Sequence, residues 1–153
     1  MREVVLDTET TGLNPDDGDR IVEIGCVELL NHLPTGEEFH TYINPGMTMP
    51  ESALKIHGLS DEFLRDKPGI SDVLDAFLDF LGSSTLVIHN AEFDLKFLRR
   101  EISVVGGSRE LKNQVVDTLS EARKKFPGAQ ASLEALCRRF KIDNSDRELH
   151  GAL

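Results

Sequence analysis

The sequence predicts an α/β protein built on one mixed sheet with helices on its faces. Two patterns point there: three strand-like segments open the chain, and each of two later short apolar segments runs straight into a stretch with helical spacing. Length supplies a third observation. A chain of 153 residues, 39% hydrophobic and 29% charged, makes one domain that can bury a substantial core without a second.

Residues 4–7 read as a short buried strand. Residues 20–30, RIVEIGCVELL, are rich in Ile and Val and form the second, with Gly25 expected to mark a bulge. Residues 38–43 alternate enough for a third, and the three together predict an antiparallel meander that Asn44, Pro45 and Gly46 end. Ile70, Val73, Leu74, Phe77, Leu78 and Leu81 recur at helical spacing, so residues 71–81 predict an amphipathic helix stopped by Gly82. Residues 86–88 are again a buried strand. A helix over 91–102 follows it, with Asn90 as N-cap and Phe93, Phe97 and Leu98 facing the core. Val115 and Val116 make the last strand, then come helices over 118–125, stopped near Pro127 and Gly128, and over 132–140.

Twenty-seven acids against seventeen bases give a formal net charge of -10. Such a chain repels phosphate backbones at long range, which argues against broad electrostatic attachment to nucleic acid and leaves local or tethered contact. Cys26 and Cys137 are too few for a disulfide framework and sit among apolar neighbours, as small core residues do. No basic-then-apolar leader opens the chain and no apolar run reaches membrane-spanning length, so the expectation is a soluble cytoplasmic protein without a membrane partner.

Chemistry concentrates in three places. Asp7 and Glu9 alternate on one strand, so they share a face roughly 6 to 7 Å apart and repel each other until a hard divalent cation intervenes. Two solvated acids in a turn would read the same way. HNAEFD, residues 89–94, puts Asp94 in the first turn of the following helix, where the dipole favours a carboxylate and where an adjacent strand would bring it to the same pocket. His89 reads equally as a core histidine. His150, in LHGAL, is the third candidate, because a histidine side chain is the type that can take a proton from water at neutral pH.

DTETTGL, IHGLS, HNAEFD, VVDTL, FPG, SLEALCRRF and LHGAL, in this order over nearly the whole chain, resemble the DEDDh group of proofreading 3′ to 5′ exonucleases. The resemblance implies an RNase H-like fold, with the first three strands antiparallel, later strands parallel, and helices flanking the sheet. It also implies that Asp7, Glu9 and Asp94 hold two Mg²⁺ or Mn²⁺ ions and that His150 is the general base. Thr8, Thr11, Leu13, His57 and Phe93 match positions lining the terminal nucleotide. The implied substrate is a single-stranded or frayed 3′ end of DNA, and the implied partners are a polymerase catalytic subunit, joined through a tail, and a small accessory subunit.

One departure stands out. The family's fourth acid follows the histidine by five residues, and this sequence ends at Leu153, three residues after His150. Residues 1–153 are therefore expected to be a single exonuclease domain cut before its last helix. Asp143 and Asp146 lie on a polar turn and make poor substitutes, and Asp117 reads better as a support for the site than as a ligand. Two other readings stay open: a stand-alone exonuclease acting on RNA or short oligonucleotides, and a non-catalytic module that keeps the fold.

Overall fold

The computed structural model describes residues 1–145 and 150–153. Strands β1 (Arg2–Thr10), β2 (Ile21–Leu30), β3 (Leu33–Tyr42), β4 (Thr85–Ile88) and β5 (Val115–Asp117) form one sheet in the order β3-β2-β1-β4-β5. The first three are antiparallel, and β1–β4 and β4–β5 are parallel, as the mixed sheet required.

Three strand expectations need correction. β1 does not end at Asp7. Its pairing with β2 continues to Thr10↔Ile21, because ladder hydrogen bonds do not depend on apolar side chains. β3 starts at Leu33 rather than 38, because Asn31 and His32, at φ 50° and 69°, close a two-residue turn that pairs Leu30 with Leu33. Gly25 is not a bulge. It pairs in register with both Asp7 and His40, and the register shifts fall at Glu9/Thr10 and Val27/Leu29.

Helices α1 (Glu51–His57) and α2 (Asp61–Leu64) were not anticipated, since each buries too few apolar residues to set up a period. They close over Val22 and Met49 with Ala53 and Leu64. The longer helices are where the pattern put them: α3 (Ile70–Leu81) ending at Gly82, α4 (Ala91–Val105), α5 (Thr118–Lys125), and α6 (Leu133–Phe140) after the Ser132 cap. α4 runs three residues past expectation, to a stop at Gly106. Phe77 and Leu81 of α3 and Phe97 and Leu98 of α4 pack on Val4, Leu6, Leu86 and Ile88 to make the main core.

The start of α4 differs in one way that matters below. Asn90 occupies the N-cap position at φ 62° but makes no side-chain cap bond. Asp117, from the end of β5, accepts the amides of Asn90 (3.0 Å) and Ala91 (3.1 Å) instead, and also caps its own helix α5 through Leu119 (2.9 Å). Among the described residues no helix is long and apolar enough to cross a membrane.

Candidate active site

Alternation along β1 sends Val4, Leu6 and Thr8 into the core and leaves Val5, Asp7 and Glu9 on the opposite face. Parallel pairing of β1 with β4 then delivers the first turn of α4 to the acid-bearing part of β1. Asp94 is 2% exposed there, and its Oδ1 accepts both the amide of Thr8 (3.1 Å) and its hydroxyl (2.6 Å). Burial pushes the Asp94 carboxyl up to about 7, the charge of Asp7 adds to the rise, and the Thr8 bonds oppose it. Acids from two separate elements thus act on each other.

Among the described residues no three His, Cys, Asp or Glu side chains are grouped to hold a metal ion. The pair of Asp7 and Asp94 still fits a hard divalent cation, which binds through one or two carboxylates while phosphate and water supply its other oxygens. A carboxyl whose pKa burial raises toward neutrality, with the charge of Asp7 adding to the rise, is in the situation such a cation relieves.

Glu9 stands opposite Glu23 across the β1–β2 ladder. Glu23 is buried, with His40 Nε2 at 2.7 Å from its Oε1, and Tyr42 stacks edge-on to His40. This Glu23–His40 pair beside the acids escaped the sequence reading. Its signal was an acid inside the apolar run IVEIGC, where a charge survives only with a partner.

His150 belongs to the segment 150–153. Its amide donates to the Ile56 carbonyl at 3.1 Å, and its Nε2 lies 3.8 Å from Glu134 of α6, in reach of charge but not of a hydrogen bond. Two residues on, buried Ala152 lays its carbonyl on Gly25, where an added Cβ would meet that oxygen at 2.2 Å. Gly25 pairs with Asp7, so the bare backbone at Gly25 is what lets the histidine segment lie across the sheet beside the acids.

The five residues matched to nucleotide binding fall into different environments. Thr8 has its amide and hydroxyl on Asp94 and so orients an acid. Thr11 is fully buried, its hydroxyl donating to Asp19 and accepting from Arg20 N. Leu13 is 83% exposed, at the tip of the loop after β1. Phe93 is half-buried, its ring 5.0 Å from that of Phe97. His57 is buried, with Nδ1 accepting from Leu59 N and Nε2 donating to the Thr10 carbonyl, a neutral tautomer that burial favours by lowering its pKa. Both of its nitrogens are engaged within the chain, which leaves only its ring surface for a ligand.

His89 places Nδ1 3.0 Å from the Thr118 hydroxyl. Asp117 supports the site by capping, as described, and four backbone amides outweigh burial to hold its carboxyl below the usual range. Asp143 is turned onto its own loop, accepting from Ser145 N, and Asp146 lies outside the described residues. A groove of about 820 Å³ runs from Asp7 between the sheet and helices α5 and α6, past Val5, Val87, Leu133 and Phe140.

The sheet order and the flanking helices define an RNase H-like fold, the fold of exonuclease I. Exonuclease I superimposes with a TM-score of 0.82 over 99% of this chain and 37% of its own, at 18% identity, a likeness of fold. Exonuclease X, solved in complex with 5′ overhanging duplex DNA, gives a TM-score of 0.75 at 28% identity over 97% of this chain and 79% of its own. The DNA polymerase III subunit epsilon of Rickettsia prowazekii (strain Madrid E) is 56% identical over 157 residues, covering 100% of this chain and 68% of that protein. Residues 4–153 match the RNase_T family, described as Exonuclease, and the chain belongs to that family.

Proposed function

We propose that this chain is the nuclease domain of a proofreading enzyme that removes mispaired nucleotides one at a time from the 3′ end of DNA, releasing nucleoside 5′-monophosphates. The observation that supports it best is that Asp94 of α4 is buried and held against β1 by the amide and hydroxyl of Thr8, where the charge of Asp7 acts on it. Asp7, Glu9 and Asp94 would hold two Mg²⁺ or Mn²⁺ ions. When bound, such ions acidify a water and take up charge on the scissile phosphate.

The remaining work falls to the chain's own groups. Thr8 keeps Asp94 turned toward β1. His150 accepts the proton that the attacking water gives up, and Glu134 faces the resulting imidazolium. Leu13 and Phe93 offer apolar surface to the terminal base and sugar. The apolar groove beside Asp7 would seat a helix that brings a fourth carboxylate over the site. The name of the Rickettsia relative supports a polymerase partner, which would deliver the frayed primer end.

Excision from a 3′-labelled DNA primer with a terminal mispair, in Mg²⁺ and then Mn²⁺, tests this reading. Removal of single nucleotides, lost in Asp7→Asn and in Asp94→Asn, supports it. Cleavage that survives both substitutions, or calorimetric Mn²⁺ binding indifferent to Asp7, would refute it.

A further inference from the structure

The loop between β1 and β2 carries Thr11 and Leu13, and the structure fastens it to the helix that carries Phe93 and Asp94. Arg20, just before β2, sets its guanidinium fork on Glu101 of α4, with Nε to Oε1 at 2.7 Å and Nη2 to Oε2 at 2.8 Å. Glu101 is 2% exposed, so its charge is answered by that fork rather than by water. It lies about two turns beyond Asp94 on the same face of α4.

At its other end the link grips the loop. The Arg20 amide donates to the Thr11 hydroxyl at 3.0 Å, and the Thr11 amide donates to the Arg20 carbonyl at 2.8 Å. Asp19 closes the turn by accepting from the Thr11 hydroxyl (3.1 Å) and the Asn14 amide (3.2 Å). Gly12 carries no Cβ where one would stand 2.3 Å from that carboxylate. Further out, Lys96 of α4 donates to Asn14 Oδ1 at 3.2 Å and pairs with Asp16 at 3.4 Å.

A bidentate guanidinium–carboxylate pair resists both sliding and rotation, which a single ammonium contact does not. A loop that presents one exposed apolar side chain needs that resistance, because a loose loop must be ordered each time a ligand binds, and the ordering weakens binding. We propose that Arg20 and Glu101 are positioning residues: a brace that holds the Leu13 loop at a set distance from Phe93 and Asp94, and so determines how tightly the terminal nucleotide of a DNA strand is gripped. The gripping role rests on the nuclease reading above, whereas the brace does not.

The chain has no tryptophan, so Leu13→Trp supplies a single indole at the loop tip, excited apart from Tyr42 at the red edge of absorption. In that background Glu101→Gln lowers the steady-state anisotropy of the indole, and Arg20→Lys lowers it less. Without the reporter, Glu101→Gln raises KM for a 3′-labelled oligodeoxythymidylate about ten-fold while kcat stays within about two-fold, and Arg20→Lys falls between. The brace is overturned if indole mobility and KM keep their original values while only the thermal midpoint drops, and equally if kcat falls with KM unchanged. Should Glu101→Gln fail to fold, Arg20→Lys, which keeps the charges balanced, decides by the same two readings. A chain that cleaves no oligonucleotide overturns the nuclease reading, and the anisotropy comparison then still decides the brace.

Discussion

Asp94 is held in a state that suits a ligand and costs stability. Its carboxyl rises from 3.8 to about 7, first through burial and then through Asp7. A group whose folded pKa exceeds its unfolded one takes up a proton on folding, so its stabilising effect is complete below about pH 4 and is lost as pH rises through about 7. Without divalent cations the thermal midpoint should therefore fall across that window, and Asp94→Asn should flatten the fall. Above pH 7 the variant should be the more stable by on the order of 1–3 kcal/mol, because it keeps an acceptor for Thr8 and carries no charge. Mn²⁺ at pH 8 should raise the midpoint of the original chain and leave the variant where it was, while the variant excises nothing. Circular dichroism melts over a pH series, with and without Mn²⁺, check all of this. Gly25 makes a second case. Gly25→Ala would bring a Cβ to 2.2 Å from the Ala152 carbonyl, and Gly25, held in two ladders, has less room to yield than the segment 150–153. Excision should drop at least about ten-fold as His150 is displaced, with unfolding free energy changed by about 1 kcal/mol or less, measured by single-turnover kinetics and denaturant titration.

Asp117 does for two helices what a cap does for one. Its carboxylate takes the amides of Asn90 and Ala91 at the start of α4 and of Leu119 at the start of α5. Asp117→Ala should cost about 2–3 kcal/mol in guanidinium unfolding, roughly one cap per helix, with Asp117→Asn costing less. Burial opposes the charge here, but the amides outweigh it and the carboxyl pKa is lowered. Its stabilising effect is therefore complete above the ordinary 3.8 and lost as pH falls through the lowered value, the reverse of Asp94. Excision should fall too, because Asp94 sits in the first turn that Asp117 anchors. This double cap shows where elements were legible in the sequence and where they were not. α5 was readable to the residue, since Thr118 to Lys125 follows a strand and precedes Pro127 and Gly128. The cap of α4 was not, because Asn90 is a good local cap by type and only the tertiary approach of β5 removes the task from it. α1 and α2 were missed for the opposite reason: their helicity serves a small cluster around Val22 and Met49 and leaves almost no period.

For the molecule as a whole, Asp7 was legible because a carboxylate at the end of an apolar strand demands an explanation, and its charge acts on Asp94 of α4. The internal bonds of Thr8, Thr11 and His57 were not, because a hydroxyl or imidazole looks the same in sequence whatever it bonds to in the fold. Charge is the property that needs no fold to read. A net charge of -10 opposes a polyanion, and the cations are local: Arg123, Lys124 and Lys125 at the end of α5, and Arg138 and Arg139 at the end of α6, with Arg139 lying over Phe126 at 4.1 Å. Each phosphate neutralised by a cation contributes about −0.7 to the slope of log affinity against log salt for a single strand, so a surface that tracks many phosphates loses affinity steeply. This chain should meet few at once. The expected slope for oligodeoxythymidylate binding between about 50 and 200 mM salt is no steeper than about −2, with weak affinity throughout that strand length beyond a few nucleotides does not improve. Covalent linkage to a second DNA-binding module should then lower the apparent KM by about 10² or more, since the second encounter becomes intramolecular, without altering kcat. Competition binding over the salt series, followed by kinetics on the linked protein, checks both parts. A slope near −5 would mean that the cationic helix ends form one continuous track and that this chain needs no partner to hold its substrate.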